Sequence, residues 1–423
     1  MRKTLAIGLA SSLLLTGVLA GCSSNNNAES PAPEGSPAAG KKVTINVWGM
    51  GEEAKSLPQM AELFEQENPD IKVNVQALPW DTAHDKLLTA VASKKGPDVV
   101  QMGTTWIPEF ANAKALKDLT PYLENFPEIK KENFYDGSIQ TGTYEDAYVG
   151  VPWYIDTRVL YYRTDILKEI GYNEPPKTWD EMLAVSKKLA ERGNNKYGYA
   201  LDVKEQSLGF MFARQNGAEL FDADGKPQFN QPKFVEAVEY MAQFFKDKSA
   251  PVDIGMDAVQ AFRGDGVAPM FISGPWMINL INDQAPELKD KWATAVLPQG
   301  KENNFSSLGG SNLSVFEYTE NADAAVKFVS FMSKPETQIK WMELTNSLPA
   351  AKTAWEDDKL KSDANYTVIG EQLKTAVPMP LIKPFEEIAQ NFLSSFERVY
   401  RSNADVQKEM DDFNKKAEEI LKK

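Results

Sequence analysis

The feature that most constrains this chain is an alternation of periodicities that begins at Lys42. Lys42-Val43-Thr44-Ile45-Asn46-Val47-Trp48 has the period-2 pattern of a strand, Ser56 to Gln66 has helical spacing, and Ile71-Lys72-Val73-Asn74-Val75 alternates again. Thr82 to Ser93 reads as a second helix. Gly96-Pro97 then introduces the apolar run Asp98-Val99-Val100-Gln101-Met102. A β-α-β-α-β rhythm predicts an α/β sheet with helices on its faces. Strand runs that are short and apolar on both sides match a parallel sheet.

A chain of 423 residues, 42% hydrophobic and 25% charged, is long enough for two or three domains and needs no disulfide or metal to bury its core. Its 46 basic and 60 acidic residues leave a net charge of −14, which argues against nucleic acid as a partner. One histidine, His84, and one cysteine, Cys22, exclude a Cys₂His₂ or His₃ zinc site and any disulfide framework. A Ser-His-Asp triad would have to use His84, and no G-x-S-x-G elbow accompanies it. Only carboxylate, Lys or Tyr chemistry survives as an enzymatic option, and neither metal nor cofactor is expected.

Met1-Arg2-Lys3 is basic and Leu5 to Val18 is apolar or small, too short for a comfortable bilayer span. Leu19-Ala20-Gly21-Cys22 resembles a bacterial lipobox. That resemblance implies a signal peptide over 1–21, cut before Cys22, with the Cys22 thiol diacylated. Ser23 to Gly40 is polar, small and Pro-rich, and the 22–42 segment reads as a lipid-bearing, disordered tether. Cleavage removes Arg2 and Lys3 and no acid, so 44 basic residues face 60 acidic ones, a charge of −16.

A second α/β region follows Val149-Gly150-Val151-Pro152. Strand patterns fall at 159–162, 197–201 and 268–272, and helical ones at 179–192, with Thr178 as N-cap, 234–246 and 256–263. A strand at 312–316 and a helix at 322–332 precede a mostly helical C-terminal stretch.

Five segments, in this order, resemble the extracytoplasmic solute-binding proteins of ABC importers, in the group that includes maltose-binding protein. They are Gly96-Pro97-Asp98-Val99-Val100; Gly150-Val151-Pro152-Trp153-Tyr154-Ile155-Asp156-Thr157 leading into Leu160-Tyr161-Tyr162-Arg163; Pro175-Pro176-Lys177-Thr178-Trp179-Asp180-Glu181-Met182; Met270-Phe271-Ile272-Ser273-Gly274-Pro275-Trp276; and Gly309-Gly310-Ser311-Asn312 followed by 324–332. The resemblance covers 43–421. It implies a two-lobe, periplasmic-binding-protein-like α/β fold of type II, with strands crossing between the lobes and a ligand in the cleft. The first lobe is expected at 43–154 plus 309–350, and the second at 155–308 plus 351–423.

A sugar presents hydroxyls and apolar C–H patches, so its site needs aromatic faces together with fixed polar groups. Trp276, after the Ser273-Gly274-Pro275 turn, matches a stacking Trp of the family. Asp156 matches a carboxylate that contacts sugar at the family's hinge, or else pairs with Arg158. Only one of Trp153 and Tyr154 faces the cleft of a period-2 strand; Trp153 is preferred, with Tyr154 retained where the strand distorts. Trp106 follows a strand in a cleft-edge loop, and Gln101 points into the cleft. Glu52 and Glu53 take the place of an Asp-Lys pair in maltose-binding protein, or simply suit a first helical turn. Glu205 lies in a sugar-contacting segment, and Gly310 and Asn312 sit at another crossing. Trp80, Trp179, Trp292, Trp341 and Trp355 read as packing, and His84 as a surface helix residue.

The resemblance implies capture of a di- to tetrasaccharide, first an α-glucoside such as a malto-oligosaccharide. Xylo-, arabino- and galacto-oligosaccharides are alternatives. The implied partners are two permease subunits with a cytoplasmic ATPase behind them, and the membrane through the lipid. A monomer on the outer face of a Gram-positive cell membrane is expected. An extracellular glycosidase would use the same carboxylates and Trp rings, but needs two carboxylates set across a bond. A sugar sensor that feeds no transport is the third class.

Overall fold

Where the period-2 runs occur, strands form, and the first three end at one edge. A computed structural model describes residues 42–51, 53–253 and 255–422, with the side chains of Glu53 and Asp81 excepted. Cys22, the expected signal peptide and the tether through residue 41 lie outside the described residues. β1 (Val43–Met50) pairs in parallel with β2 (Ile71–Leu78) along its whole length. β3 (Val99–Gly103) joins the other side of β1, also in parallel, at Val47↔Val99 and Trp48↔Val100. The intervening helix Leu57–Glu67 buries Leu57, Met60, Ala61 and Phe64, a stripe at helical spacing.

A short hairpin, β4 (Thr143–Tyr144) and β5 (Ala147–Tyr148), precedes β6 (Val151–Thr157) and β7 (Val159–Arg163). The remaining strands are β8 (Tyr199–Ala200), β9 (Met270–Ser273), β10 (Trp292–Ala295), β11 (Ser306–Val315), β12 (Leu348–Pro349) and β13 (Ala376–Pro378). They form a seven-stranded sheet in the order β12-β6-β11-β3-β1-β2, with β13 also on β11, and a four-stranded sheet in the order β10-β7-β9-β8.

Arg158 alone separates β6 of the large sheet from β7 of the smaller one. Its N–H donates to Ser306 Oγ at 2.9 Å, and Ser306 Oγ donates to its carbonyl at 2.8 Å. One side chain on the first residue of β11 thus holds both backbone groups of the junction. The chain crosses back between β10 and β11, and leaves the large sheet again after β13. There Arg214 Nη1 donates to Pro378 O at 2.6 Å. The boundaries expected near 154 and 309 fall inside β6 and β11, and the chain passes from the large sheet to the small one at Arg158 and returns at the start of β11.

Sequence periodicity was least informative where burial is complete. Helix Gln206–Gln215 carries no amphipathic stripe, since nearly its whole surface is covered. β11 starts at Ser306, well before the expected strand at 312–316, and the 197–201 pattern is a strand only at Tyr199–Ala200. Thr178 does cap its helix, accepting from Glu181 N–H at 3.2 Å. The second core is dense in aromatic rings, with Phe210, Phe229 and Phe234 packed against Phe392 of helix Phe385–Ser402 and Phe413 of helix Val406–Leu421.

β11 pairs antiparallel with β6, and their register shifts between Ser311 and Asn312. Gly310 makes this pairing feasible. Its φ is +119°, and a Cβ there would lie 2.2 Å from Tyr154 O and 2.8 Å from Ile155 Cα. Both are backbone atoms that cannot yield. Gly310→Ala is expected to lower unfolding free energy by about 2–4 kcal/mol, read as a reduced urea midpoint.

Candidate functional site

Parallel strands place their carboxyl ends together, and such edges are where open α/β sheets bind ligands. After β2 comes Trp80, 36% exposed, and after β3 comes Trp106. Their rings meet edge to face at 5.4 Å. His84 packs on Trp106 at 5.1 Å, and its Nε2 lies 2.8 Å from Glu109 Oε2. Trp80, expected as packing, therefore stands exposed at this edge against a partly buried Trp106, which His84 braces. A cavity of about 710 Å³ opens between Thr105, Trp106 and Glu109 on this side and Lys383, Glu386 and Glu387 at the start of the helix that follows β13.

On β6, alternation buries Trp153, Ile155 and Thr157 and leaves Tyr154 and Asp156 half-buried on the other face, with Arg158 next in phase. Arg158 gathers the site. Its Nη1 donates to Asp156 Oδ1 at 2.9 Å, while Nε and Nη2 donate to Glu205 Oε2 at 3.1 and 2.8 Å. Its guanidinium lies over the Trp276 ring, 4.9 Å from the centroid. Trp276 begins helix Trp276–Gln284 and is 40% exposed. The turn before it needs Gly274, where a Cβ would enter the Trp276 ring at 2.0 Å. Tyr161 O–H donates to Gly274 O at 2.7 Å and fixes that turn.

The two carboxylates are treated differently. Glu205 uses both oxygens: Oε2 accepts from Arg158, and Oε1 accepts from Ser207 N–H at 3.2 Å and Ser207 Oγ at 2.8 Å. Burial works to raise its pKa, but Arg158 and Ser207 outweigh burial and hold it below the ordinary Glu value. Asp156 has only one bond from Arg158, and burial raises its pKa despite that cation, with Glu205 adding to the rise. Burial also opposes the charge on Arg158, yet Asp156 and Glu205 prevail and raise its pKa. The Glu205 contribution to stability is present above its unfolded pKa and lost as pH falls through its lower folded value. Asp156 acts in the opposite direction, since acid relieves its buried charge.

The structure brings Asp156, Glu205 and Trp276 together around Arg158, places Tyr154 on the same face of β6 as Asp156, and sets Trp106 at the strand edge. Three expectations are corrected. Trp153 does not face the cleft: it is 1% exposed and stacks on Trp341 with centroids 4.6 Å apart. The strand phase was misassigned, and Tyr154 is the outward ring. Asn312 is buried in the sheet, where its Nδ2 donates to Thr141 Oγ1 at 3.1 Å. Gln101 is fully buried beneath Tyr154 rather than directed into the cleft. Gly310 is half-buried and is required for the β6–β11 pairing described above. Glu52 lies outside the described residues, and of Glu53 only the backbone is described, in a short 3-10 turn. Arg158 had been read only as a partner of Asp156; its place between two strand patterns was the available signal.

Residues 49–339 match the family of bacterial extracellular solute-binding proteins, and the chain belongs to that family. It is therefore a binding protein rather than an enzyme. The sugar-binding protein MalE from Xanthomonas citri has the same fold, with a TM-score of 0.85 and 31% identity, covering 90% of this chain and 97% of that one. The arabinooligosaccharide-binding protein of Bacillus subtilis is 25% identical, over 87% of this chain and 85% of its own. The maltotriose-binding protein of Pyrococcus abyssi is also 25% identical, over 78% of this chain and 70% of its own. No helix among the described residues is long and apolar enough to cross a membrane.

Replacing Arg158 by Met leaves two partly buried carboxylates facing each other. Stability is expected to fall by about 3–5 kcal/mol, measured by urea unfolding at pH 7. Trp153→Phe should lower stability while leaving ligand affinity within twofold (about 0.4 kcal/mol), as befits a core ring.

Proposed function

We propose that this protein captures a di- to tetrasaccharide in the cleft and delivers it to an ABC importer. The observation that carries this reading is an exposed Trp276 beside a fixed Asp156–Arg158–Glu205 cluster. It offers an apolar face next to charge-assisted hydrogen-bonding groups, which is what a pyranose needs. Gly309 and Gly310 strip side chains from the neighbouring strand; a Cβ on Gly309 would lie 2.5 Å from Asp156 Oδ1. In this reading the lobes are 43–154 plus 309–350 and 155–308 plus 351–423, hinged at the crossings, and the ligand shifts the population towards a closed form.

The sugar is first an α-glucoside, supported by the names of the maltotriose-binding relative and of the maltose-bound MalE3 of T. maritima, 26% identical with a TM-score of 0.76. The arabino- and galacto-oligosaccharide-binding relatives of B. subtilis support the alternatives. The proposal includes cleavage after Gly21, acylation of Cys22, a tether to the outer face of a Gram-positive membrane, a monomeric state, and docking on two permease subunits driven by an ATPase.

Tryptophan fluorescence during titration with an oligosaccharide panel, with product analysis on each sample, tests this. A saturable shift with one sugar class and intact sugar is expected; cleaved sugar or silence across the panel overturns the reading. Trp276→Ala should weaken binding by about 2 kcal/mol, about thirtyfold. Affinity should also fall on acidification, starting above the range of an ordinary aspartate, because ionised Asp156 makes stronger, charge-assisted hydrogen bonds to sugar hydroxyls than the neutral acid does and burial raises its pKa. Asp156→Asn should remove that pH dependence, as followed by titrations between pH 4 and 8.

A further inference from the structure

Asp156 and Glu205 flank Arg158 with similar side-chain exposure, 25% and 23%, yet the protein uses them unequally. Glu205 caps helix Gln206–Gln215. Its Oε1 accepts from Ser207 N–H at 3.2 Å and from Ser207 Oγ at 2.8 Å, and its Oε2 accepts from Arg158 Nε at 3.1 Å and Nη2 at 2.8 Å. A carboxylate offers about four lone-pair sites, and in Glu205 the protein fills them all. Ser207 Oγ also lies 3.4 Å from Ser307 Oγ, but its single proton goes to the nearer, charged oxygen. The helix cannot carry Glu205 elsewhere. It lies so close to helix Phe385–Ser402 that a Cβ on Gly209 would stand 2.1 Å from Phe392 Cε1.

Asp156 accepts a single bond, from Arg158 Nη1 to Oδ1. Its Oδ2 accepts none among the described residues. Gly309, opposite it on β11, puts no side chain over this oxygen; a Cβ there would lie 3.1 Å from Oδ2. Arg158 gives one N–H of Nη1 to Asp156, and Nε–H and one N–H of Nη2 to Glu205. One N–H on Nη1 and one on Nη2 are left over. The open valences of the cluster are thus an acceptor on Asp156 and donors on Arg158.

We propose that Glu205 is a positioning residue that touches no ligand: it holds the Arg158 guanidinium, and the ligand bonds to the pair so oriented, Asp156 Oδ2 and the remaining Arg158 N–H groups. This deepens the reading of the cluster as a sugar site and rests on it. A hydroxyl both donates and accepts, so it satisfies both members of the pair. A sugar carboxylate satisfies only Arg158 and is repelled by Asp156, and an ammonium group satisfies only Asp156. The ring bound at this place is therefore a neutral one.

The test is the pair Glu205→Ala and Glu205→Gln, with folding checked by circular dichroism. Gln keeps an oxygen for Arg158, and its amide can donate to Ser207 Oγ; Ala releases the guanidinium. The first arm needs no sugar. With ¹⁵N-arginine labelling, the Arg158 Nε–H signal is identified by its loss in Arg158→Lys. Glu205→Ala is expected to speed exchange of that proton with water at least about tenfold at pH 7, and Glu205→Gln to keep most of the protection. Unchanged exchange in Glu205→Ala overturns the proposal whatever the ligand is. The second arm titrates maltotriose, arabino-oligosaccharides and galacto-oligosaccharides into wild type and both variants. For the sugar that wild type binds, Glu205→Ala is expected to weaken affinity about tenfold, and Glu205→Gln to recover it to within about threefold. Equal loss in both variants means that the ligand needs the Glu205 carboxylate itself. Full affinity in Glu205→Ala means that its hold on Arg158 serves the fold alone. Either result overturns the proposal. Absence of binding by wild type to all three probes counts against the sugar reading, while the exchange arm still decides whether Glu205 holds Arg158.

Discussion

The buried guanidinium of Arg158 is the interaction on which the rest of this site depends. It occupies the single residue between strands of two different sheets, with both backbone groups held by Ser306. Its side chain joins Asp156 from the large sheet, Glu205 at the cap of a helix, and the Trp276 ring at the start of another. Ion pairs removed from water are stable only when their geometry satisfies them closely. That requirement holds all three partners in one arrangement, and with them the junction of the two sheets.

Around this cluster the fold provides room by omission. Gly309 and Gly310 remove side chains opposite Asp156 and Ile155, and Gly274 clears the space into which the Trp276 ring turns. Aromatic faces stand at the margins, Trp80 and Trp106 after the parallel strands and Trp276 across the junction. Asp156 sits on a strand, Arg158 at the junction and Glu205 at a helix cap, and their ion pairs hold these polar groups in place before a ligand arrives, which limits the ordering entropy of binding. Few residues connect the sheets at the crossings, and the proposed hinge is placed there. A ligand that touches both sides can then bias the hinge through contacts on rigid elements.

Much of this was legible in the residues themselves. The first five elements follow their hydrophobic patterns within a few residues, because four of them bury one face or one stripe and β3, buried on both faces, is a continuous apolar run. Trp276 was legible because Ser273-Gly274-Pro275 must interrupt a strand, and Asp156 because an acidic residue within an apolar run needs a partner or water. Trp153 and Tyr154 were not separable: both are large aromatic residues, and the phase of β6 is decided by the Trp341 ring, nearly two hundred residues away. Asn312 and Gln101 misled for a related reason. Each is polar and near a crossing, yet each completes hydrogen bonds that the sheet leaves open, with Thr141 in one case and with Met50 and Tyr154 in the other.

Local periodicity thus determined the α/β class, the existence of most elements and the chemistry available to the site, because burial of one face is a local property of the chain. Tertiary structure alone decided which ring faces the cleft, that Arg158 draws Asp156 and Glu205 together, and that Trp80 stands beside Trp106. Those outcomes depend on contacts between residues far apart in the chain. No short-range pattern encodes them, because the free energy that selects them arises only when separate elements pack.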